Sequence, residues 1–121
     1  MESAFYSVVS AAGPVIALLG IGPNIRLFPD EAPQGVQPPY AVFHTIAGVP
    51  ENQLDGGAGI DSYTLQIDCY SRDRDQAISL ASAIRAAIEP YAEVGSLRGT
   101  SRDTQTRLYN YQFDIEWLTP R

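Results

Sequence analysis

The sequence contains no lysine, only one histidine and only one cysteine, and each scarcity excludes a kind of site. His44 and Cys69 alone cannot build a two-histidine metal site, a cysteine-rich zinc site or an internal disulfide within one subunit. A buried thiol in a protein made in a reducing cytoplasm is the simplest interpretation of Cys69. His44 lies on a predicted strand, and no serine or cysteine stands in a nucleophile motif such as GxSxG. A structural role for His44 is therefore favoured over catalysis.

Positive charge is scarce as well. Fourteen acidic residues face eight basic ones, all of them arginines, and the formal net charge is -6. Non-specific nucleic-acid binding depends on neutralising phosphates with basic side chains, so this composition excludes a general basic surface. Arginine is suited to bidentate pairing with carboxylates across an interface, although genomic base composition would explain the absence of lysine equally well.

No hydrophobic run is long enough to cross a bilayer, since the longest is Val15–Ile21, and the sequence predicts a soluble protein. With 121 residues, 45% hydrophobic and 18% charged, the chain is predicted to form one domain over residues 1–121. The predicted order of helix, strands, helix and strands favours an α+β fold with a mostly antiparallel sheet of about four to five strands. A long alanine-rich helix and an N-terminal helix would pack on that sheet.

Ser62–Glu89 contains the clearest pattern in the chain, a strand followed closely by a helix. Apolar residues alternate from Tyr63 to Cys69, as expected for a strand with one buried face. Apolar residues then recur at three- and four-residue steps, as on one stripe of a helix, at Ala77, Leu80, Ala81, Ile84, Ala87 and Ile88. Pro90 predicts the end of that helix.

The remaining elements are predicted from the same periodicities and from turn residues. The helices are Glu2–Ala12, broken by Gly13 and Pro14, and a second short helix before Gly20. The strands are Ile25–Phe28, Tyr40–Gly48, a weakly predicted Ser96–Arg102, and Leu108–Leu118. The connections are a proline-rich loop over 29–39, a flexible loop over 49–61, a connector over Tyr91–Gly95 and a turn over Asp103–Gln105.

Three carboxylates, Asp68, Asp114 and Glu116, lie on the polar faces of two predicted strands. If the strands are neighbours, these acids lie side by side, as in a hydrolase or a magnesium site. The absence of a second catalytic motif favours the alternative, an exposed sheet face whose acids pair with arginines. Those arginines would be Arg72, Arg98 or Arg107, or arginines of another subunit.

Several segments, taken in order, resemble the small tail-completion or tail-terminator proteins of long-tailed phages, prophages and gene-transfer agents. They are the N-terminal helix, IRLFPDEAPQGVQPPYAVFH from 25 to 44, YTLQIDCYSRDRDQAISLASAIRAAIE from 63 to 89, and YNYQFDIEWLTP from 109 to 120. The middle segment, with its strand, its Cys-Tyr-Ser turn and its alanine-rich helix, is the most specific. The resemblance covers most of the chain, and none of its motifs is catalytic.

The resemblance implies a structural virion protein with no cofactor and no catalytic activity, located in the tail at the head–tail junction. Subunits of such proteins form a homo-oligomeric ring, commonly a hexamer, that contacts the tail-tube protein and a neck or stopper protein. DNA passes through the lumen as cargo without sequence recognition, and no membrane is involved. A head-completion or stopper protein of the neck is the first alternative, and the carboxylate-dependent hydrolase is the second.

On this interpretation, charged residues outside the core are the candidates for contacts between subunits or between rings. The candidates around the strand–helix stretch are Arg72, Asp73, Arg74, Asp75 and Arg85. The candidates in the two loops are Asp30, Glu31, Asp55 and Asp61.

Overall fold

The strand with the alternating apolar residues lies at the centre of the fold. A computed structural model describes residues 2–50 and 60–120 of the chain. Its elements, in chain order, are α1 (Glu2–Ser10), α2 (Gly13–Leu19), a 3-10 turn (Gly22–Asn24), β1 (Leu27–Pro29), β2 (Tyr40–Pro50), β3 (Ile60–Ser71), α3 (Arg74–Ile88), β4 (Ala92–Arg102) and β5 (Tyr109–Pro120). The predicted mixture of helices with a mostly antiparallel sheet is confirmed.

The described strands form one five-stranded sheet in the order β1-β2-β3-β5-β4. In the middle, β3 pairs antiparallel with β2 on one side and with β5 on the other. At one edge, β4 pairs antiparallel with β5, and at the other edge the short β1 runs parallel to β2. The sheet therefore has one long edge strand and one very short one.

The turn from β3 into α3 is fixed by hydrogen bonds from side chains. Asp73 Oδ1 accepts a hydrogen bond from the backbone N–H of Asp75 at 3.0 Å, which caps the helix N-terminus. The buried hydroxyl of Ser71 accepts from the backbone N–H of Asp73 at 3.1 Å and donates to Gln76 Oε1 at 2.6 Å. These bonds start the helix at Arg74, and it ends at Ile88, before Pro90, as predicted.

The helices cover one face of the sheet and bury the alternate residues of its strands. The apolar residues of β3 from Leu65 to Cys69 are fully buried there. Phe5 of α1 packs on Phe43 of β2 and on Trp117 of β5, with ring centroids 4.9 and 6.3 Å apart. Burying one such large side chain contributes about 1.5–3 kcal/mol. The fully buried side chains of β3 and β5, together with those of the helices, therefore decide which face of the sheet the helices occupy.

The prediction of a connector over Tyr91–Gly95 is wrong, because β4 already begins at Ala92. The pairing of β4 with β5 shifts register between Val94 and Ser96 and again between Leu97 and Gly99. Each shift is a bulge, which inserts a residue and reverses the faces of those that follow. The apolar alternation that identifies a strand in sequence is therefore interrupted twice within β4.

Other boundaries also differ from the prediction. Gly13 and Pro14 start α2 rather than only ending α1, because proline fits the first turn of a helix where its missing N–H is not needed. The predicted strand over Ile25–Phe28 is found at Leu27–Pro29, and residues 30–39 contain no helix or strand. The ends of the predicted loop over 49–61 belong to β2 and β3, and its residues 51–59 lie outside the described residues.

We expect the thiol of Cys69 to be protected in the folded protein. The side chain is fully buried, and burial, together with the negative charge of Asp68, raises the pKa of the thiol. Reaction with an aromatic disulfide reagent should be at least about 100-fold slower in the native protein than in protein unfolded by guanidinium chloride. Absorbance of the released thiolate measures the rate. Comparable rates in the two states would contradict the burial of this face of β3.

Candidate functional site

The face of the sheet opposite the helices carries mostly polar side chains. We call it the open face, and it consists of residues on β2, β3 and β5 that alternate with those facing the helices. They are Tyr40, Val42, His44, Gln66, Asp68, Tyr70, Asn110, Gln112, Asp114 and Glu116. The sequence prediction that β3 and β5 present acids on neighbouring polar faces is confirmed.

Asp68 lies at the centre of the open face and is surrounded by amide donors. Its carboxylate accepts hydrogen bonds from Gln112 Nε2 at 2.7 Å, from Gln66 Nε2 at 3.1 Å and from Asn110 Nδ2 at 3.3 Å. The residue is only 5% exposed. A buried carboxylate needs such donors to offset the loss of water, and here neutral amides supply the hydrogen bonds, while the charge of Arg98 acts on Asp68 from β4.

Asp114 is the second buried acid of the open face and pairs with an arginine. Its Oδ2 accepts from Arg98 Nη2 of β4 at 2.7 Å, which confirms one of the arginine pairings predicted from sequence. The arginine side chain is half-exposed, whereas Asp114 is 7% exposed. The prediction of exposed acids is therefore wrong for Asp68 and Asp114, because neighbouring side chains on the sheet cover them.

Three polar atoms of the open face are buried and have no hydrogen-bond partner among the described residues. They are Asp114 Oδ1, Asn110 Oδ1 and His44 Nδ1. Only one other side-chain atom among the described residues is in the same state, Arg85 Nε on α3. The two oxygens are acceptors, and a buried acceptor without a donor is costly, so Asn110 and Asp114 have unused capacity to accept hydrogen bonds.

A pocket of about 450 Å³ opens at one end of the open face. Its lining includes Asp68 as well as Tyr40 and Tyr70, whose rings stack with centroids 4.9 Å apart. Asp30 and Glu31 from the proline-rich loop, and Asp103 from the turn after β4, complete the acidic lining. We call this the acidic pocket.

Backbone hydrogen bonds hold the proline-rich loop beside the acidic pocket. Asp30 N donates to Phe43 O at 2.8 Å, which ties the loop to β2. Arg26, directly before β1, links the end of this loop to α2. Its Nε donates to Pro39 O and its Nη2 donates to Leu18 O, each at 2.8 Å. Arg26 therefore has a structural role, and it is not free to neutralise the pocket.

The turn that carries Asp103 is also closed by its own hydrogen bonds. Asp103 Oδ1 accepts from the backbone N–H of Gln105 at 2.7 Å and from that of Thr106 at 3.1 Å. Its backbone N–H donates to Leu108 O at 2.9 Å. The turn predicted at these residues is thus confirmed, and it fixes the position of the carboxylate at the pocket.

Burial and nearby negative charge both raise the pKa values of the two tyrosines in the acidic pocket. Burial, and next the charge of Asp68, raise the pKa of Tyr70 to about 12. Burial, and next the charge of Asp103, raise the pKa of Tyr40 above its ordinary value. Both shifts have the direction expected where an anion is disfavoured by low polarity and by nearby carboxylates.

The exposed edge of the sheet forms a second surface, which we call the β4 edge. Tyr91, Val94 and Leu97 are 52%, 37% and 53% exposed and lie within seven consecutive residues. Next to them is a groove of about 490 Å³ between α3 and β4, which includes Arg85 and its unpartnered Nε. A long edge strand with apolar side chains is a common template for contact with another chain.

The predicted contact residues around α3 fall into two places. Arg72, Asp73, Arg74 and Asp75 are all exposed at the start of the helix. There Arg74 Nη1 lies 4.0 Å from Asp75 Oδ1, and Arg72 Nη2 donates to Gln37 Oε1 at 3.5 Å. Arg85, on the last turns of the helix, lines the groove beside β4 instead.

The predicted contact residues of the loops also separate. Asp30 and Glu31 line the acidic pocket. Asp61 lies on β3, paired with Pro50 and Thr119, and Asp55 lies outside the described residues. The structure thus brings together two of these four acids. Whether any of the nine candidates contacts another subunit stays a prediction.

Sequence reasoning did not identify the acidic pocket as a unit. The register of the sheet brings together parts of the chain that are far apart in sequence, and it creates the Tyr40–Tyr70 stack with Asp103 beside it. The groove beside β4 was likewise not identified from sequence. The hydrolase alternative gains no support from the geometry, since Asp68 and Asp114 already have amide and arginine partners. Across residues 2–50 and 60–120, no group of three His, Cys, Asp or Glu side chains could hold a metal ion.

Comparison with known proteins gives a consistent family and fold. The family model described as "Tail completion protein gp17" matches residues 4–120. In three dimensions the chain is similar to a chain of the "Virion of native gene transfer agent (GTA) particle", with a TM-score of 0.65 and 12% sequence identity. That similarity covers 100% of this chain and 95% of the other, and at this identity it concerns the fold. No curated protein matches the chain significantly in sequence.

The longest helix in the described part of the chain is α3 with 15 residues, and none of the helices there has the length and hydropathy of a membrane span.

We expect the Arg98–Asp114 pair to be asymmetric when it is broken. Arg98→Ala leaves a buried carboxylate without its cation, whereas Asp114→Asn leaves a half-exposed guanidinium that water can solvate. Arg98→Ala should therefore lower the urea midpoint of unfolding, and Asp114→Asn should lower it by less than about half as much. Arg107→Ala, an exposed arginine in the following turn, is the matched control. Equal losses for the two pair variants would contradict this account.

We also expect Tyr70 to make stability depend on pH in the alkaline range. Its pKa in the folded protein, about 12, is above the ordinary value of 10.0, so the folded state holds the phenol proton more tightly. This contribution is fully present below the ordinary pKa and is lost as the pH rises through the folded pKa. Tyr70→Phe should therefore lose less stability than the unmodified protein between about pH 10 and 12. Urea unfolding at several pH values measures this, with Tyr91→Phe as control, and parallel curves for Tyr70→Phe and the unmodified protein would refute it.

Proposed function

This chain belongs to the tail completion protein gp17 family, which places it in the virion tail, and on that premise we propose that it is a structural subunit of the ring that ends the tail tube and joins the tail to the head. The observation that carries the proposal is the family match over residues 4–120. The likeness of the whole fold to a chain of a gene transfer agent virion is in keeping with it. In this function the protein binds other proteins and performs no chemistry.

The two edges of the sheet support assembly into a ring. The β4 edge is a strand of 11 residues with exposed apolar side chains, while the opposite edge, β1, has only three residues. The two edges differ, so the β4 edge of one copy can contact a different surface on the next copy. A contact of this kind is a head-to-tail interface. Such interfaces close into rings when the rotation between subunits permits, and we propose a ring of six copies, the number that the family resemblance implies.

The charge of the chain suits a conduit for DNA. With a net charge of -6 and no lysine, a ring of these subunits has no general affinity for phosphates. DNA would therefore pass through the lumen without being retained. The neighbours of the ring would be the tail-tube protein on one side and a neck or stopper protein on the other.

The β4 edge generates a test of the ring. We expect Leu97→Asp to weaken self-association by at least about tenfold, because it places a charge in an apolar contact at an interface. Ile21→Asp is the matched control, since Ile21 is 66% exposed and lies away from β4. Native mass spectrometry and imaging of assembled tails measure the number of copies in both variants.

Two results would count against these assignments separately. Normal rings formed by Leu97→Asp would exclude the β4 edge as the contact while leaving the ring itself standing. Binding of the unmodified protein to purified portal or adaptor protein, with none to the tail-tube protein, would replace the terminator function by that of a head-completion or stopper protein.

A further inference from the structure

We propose that the β4 edge of one copy pairs with the outer side of β2 of the next copy, so that one sheet continues from subunit to subunit. This pairing deepens the proposed ring, on which it rests, because it names the surface that receives the β4 edge. A second unpaired stretch of the sheet, the directions of the strands and the positions of exposed apolar side chains all point to it.

The sheet has an unpaired stretch on β2 as well as on β4. The short β1 pairs only with residues 41–43 of β2, whereas β2 continues to Pro50. Among the described strands, none lies on the outer side of residues 46–50. An unpaired strand edge presents backbone N–H and C=O groups to a chain that lies beside it. Each copy therefore offers two such edges, on opposite sides of one sheet.

The directions of the four long strands favour a second copy of this chain as the partner. In the order β2-β3-β5-β4, each strand runs antiparallel to the one before it. Because the number of strands is even, β4 also runs antiparallel to β2. A copy placed beside the first, with its helices on the same face and its strands in the same directions, thus sets its β2 antiparallel to β4. Antiparallel pairing is slightly more stable than parallel pairing, and each further copy repeats the same contact.

Exposed apolar side chains of the two edges lie at the same level of the sheet. Thr45 of β2 pairs with Leu65 of β3. Leu65 pairs with Ile115 of β5, which in turn pairs with Val94 of β4. Ile46, directly after Thr45, is 45% exposed, and Val94 is 37% exposed. A neighbour that is not shifted along the strands therefore sets Ile46 beside Val94, and the contact removes apolar surface of both from water.

The distribution of the other exposed apolar residues agrees with this contact. Among the described residues, five large apolar side chains are exposed, and all but one lie on the two edges. They are Tyr91, Val94 and Leu97 at the β4 edge, Ile46 on β2, and Ile21 elsewhere. Residues 92–94 pair with β5 without a bulge, and the bulges, which disturb an edge, come after them. The regular part of β4 is thus the part that faces residues 46–50 of the next copy.

Cysteine pairs placed on the two edges test the contact directly. Ile46→Cys is combined with Val94→Cys, or with Leu97→Cys for a neighbour that is shifted along the edge, and the assembled tails are oxidised. Within one subunit β3 and β5 separate the two edges by about 14 Å, so a disulfide forms only between copies. The native thiol of Cys69 is fully buried and takes no part. We expect a ladder of covalent oligomers from at least one of the two pairs.

The matched control keeps two exposed cysteines but moves one of them away from β2. It combines Ile21→Cys with Val94→Cys, and its yield of oligomers should be at least about fivefold lower. The single variants Ile46→Cys and Val94→Cys cross-link only where identical edges meet, so neither should give dimers. Unfolding midpoints of all variants are compared with that of the unmodified protein, and positions this exposed should leave the midpoint unchanged.

The possible failures are distinguishable. Rings that form without cross-links from either cysteine pair would refute the pairing of β4 with β2 and leave the ring itself standing. Dimers from Val94→Cys alone would replace the pairing by a two-fold contact between two β4 edges. Absence of any ring in tails assembled from the unmodified protein, seen by native mass spectrometry and imaging, would instead overturn the proposed function.

Discussion

The pairing of β3 with β5 is the constraint on which the rest of the structure depends. Its register sets Ile67 opposite Phe113 on the helix side and Asp68 opposite Gln112 on the open face. A slip of one residue would turn the carboxylates toward the helices and the aromatic rings toward water. Because both faces would be penalised at once, this register fixes the core and the open face together.

The open face adds to that constraint through hydrogen bonds as well as charge. Asp68 is stabilised by three amide groups, so its position requires Gln66, Asn110 and Gln112 to be aligned across two strands. Asp114 instead uses Arg98 of the edge strand, which links β4 to the centre of the sheet. Two of the three acids that would suit a hydrolase, Asp68 and Asp114, are thus already occupied in organising the sheet. What stays available is the set of carboxylates around the acidic pocket, contributed by a loop and a turn.

Helices, strands and their buried faces can be predicted from the sequence where the apolar periodicity is continuous, and they are predicted poorly where it is interrupted. In β3, α3 and β5 the apolar spacing identifies each element and its buried face, and the Ser71–Asp75 region marks the turn between the first two. In β4, bulges beside Gly95 and Gly99 reverse the alternation, so the strand looks shorter than it is. The acidic pocket depends on Tyr40 lying opposite Tyr70, 30 positions away, and on Asp103 arriving beside them. Such long-range register is not encoded in local spacing, and only the assembled sheet reveals it.

The β4 edge is apolar and the acidic pocket is charged, and β4 connects the two surfaces. Its first half carries the exposed Val94 and Leu97, whose contact with another subunit would depend on apolar burial and on unpaired backbone groups of the edge. The turn after its last residue carries Asp103, which contributes charge to the acidic pocket. Salt would weaken a contact made by the pocket carboxylates far more than a contact made by the apolar edge, since screening acts on charge and not on buried apolar area. The two surfaces have no side chains in common, so a substitution at one of them can leave the other intact.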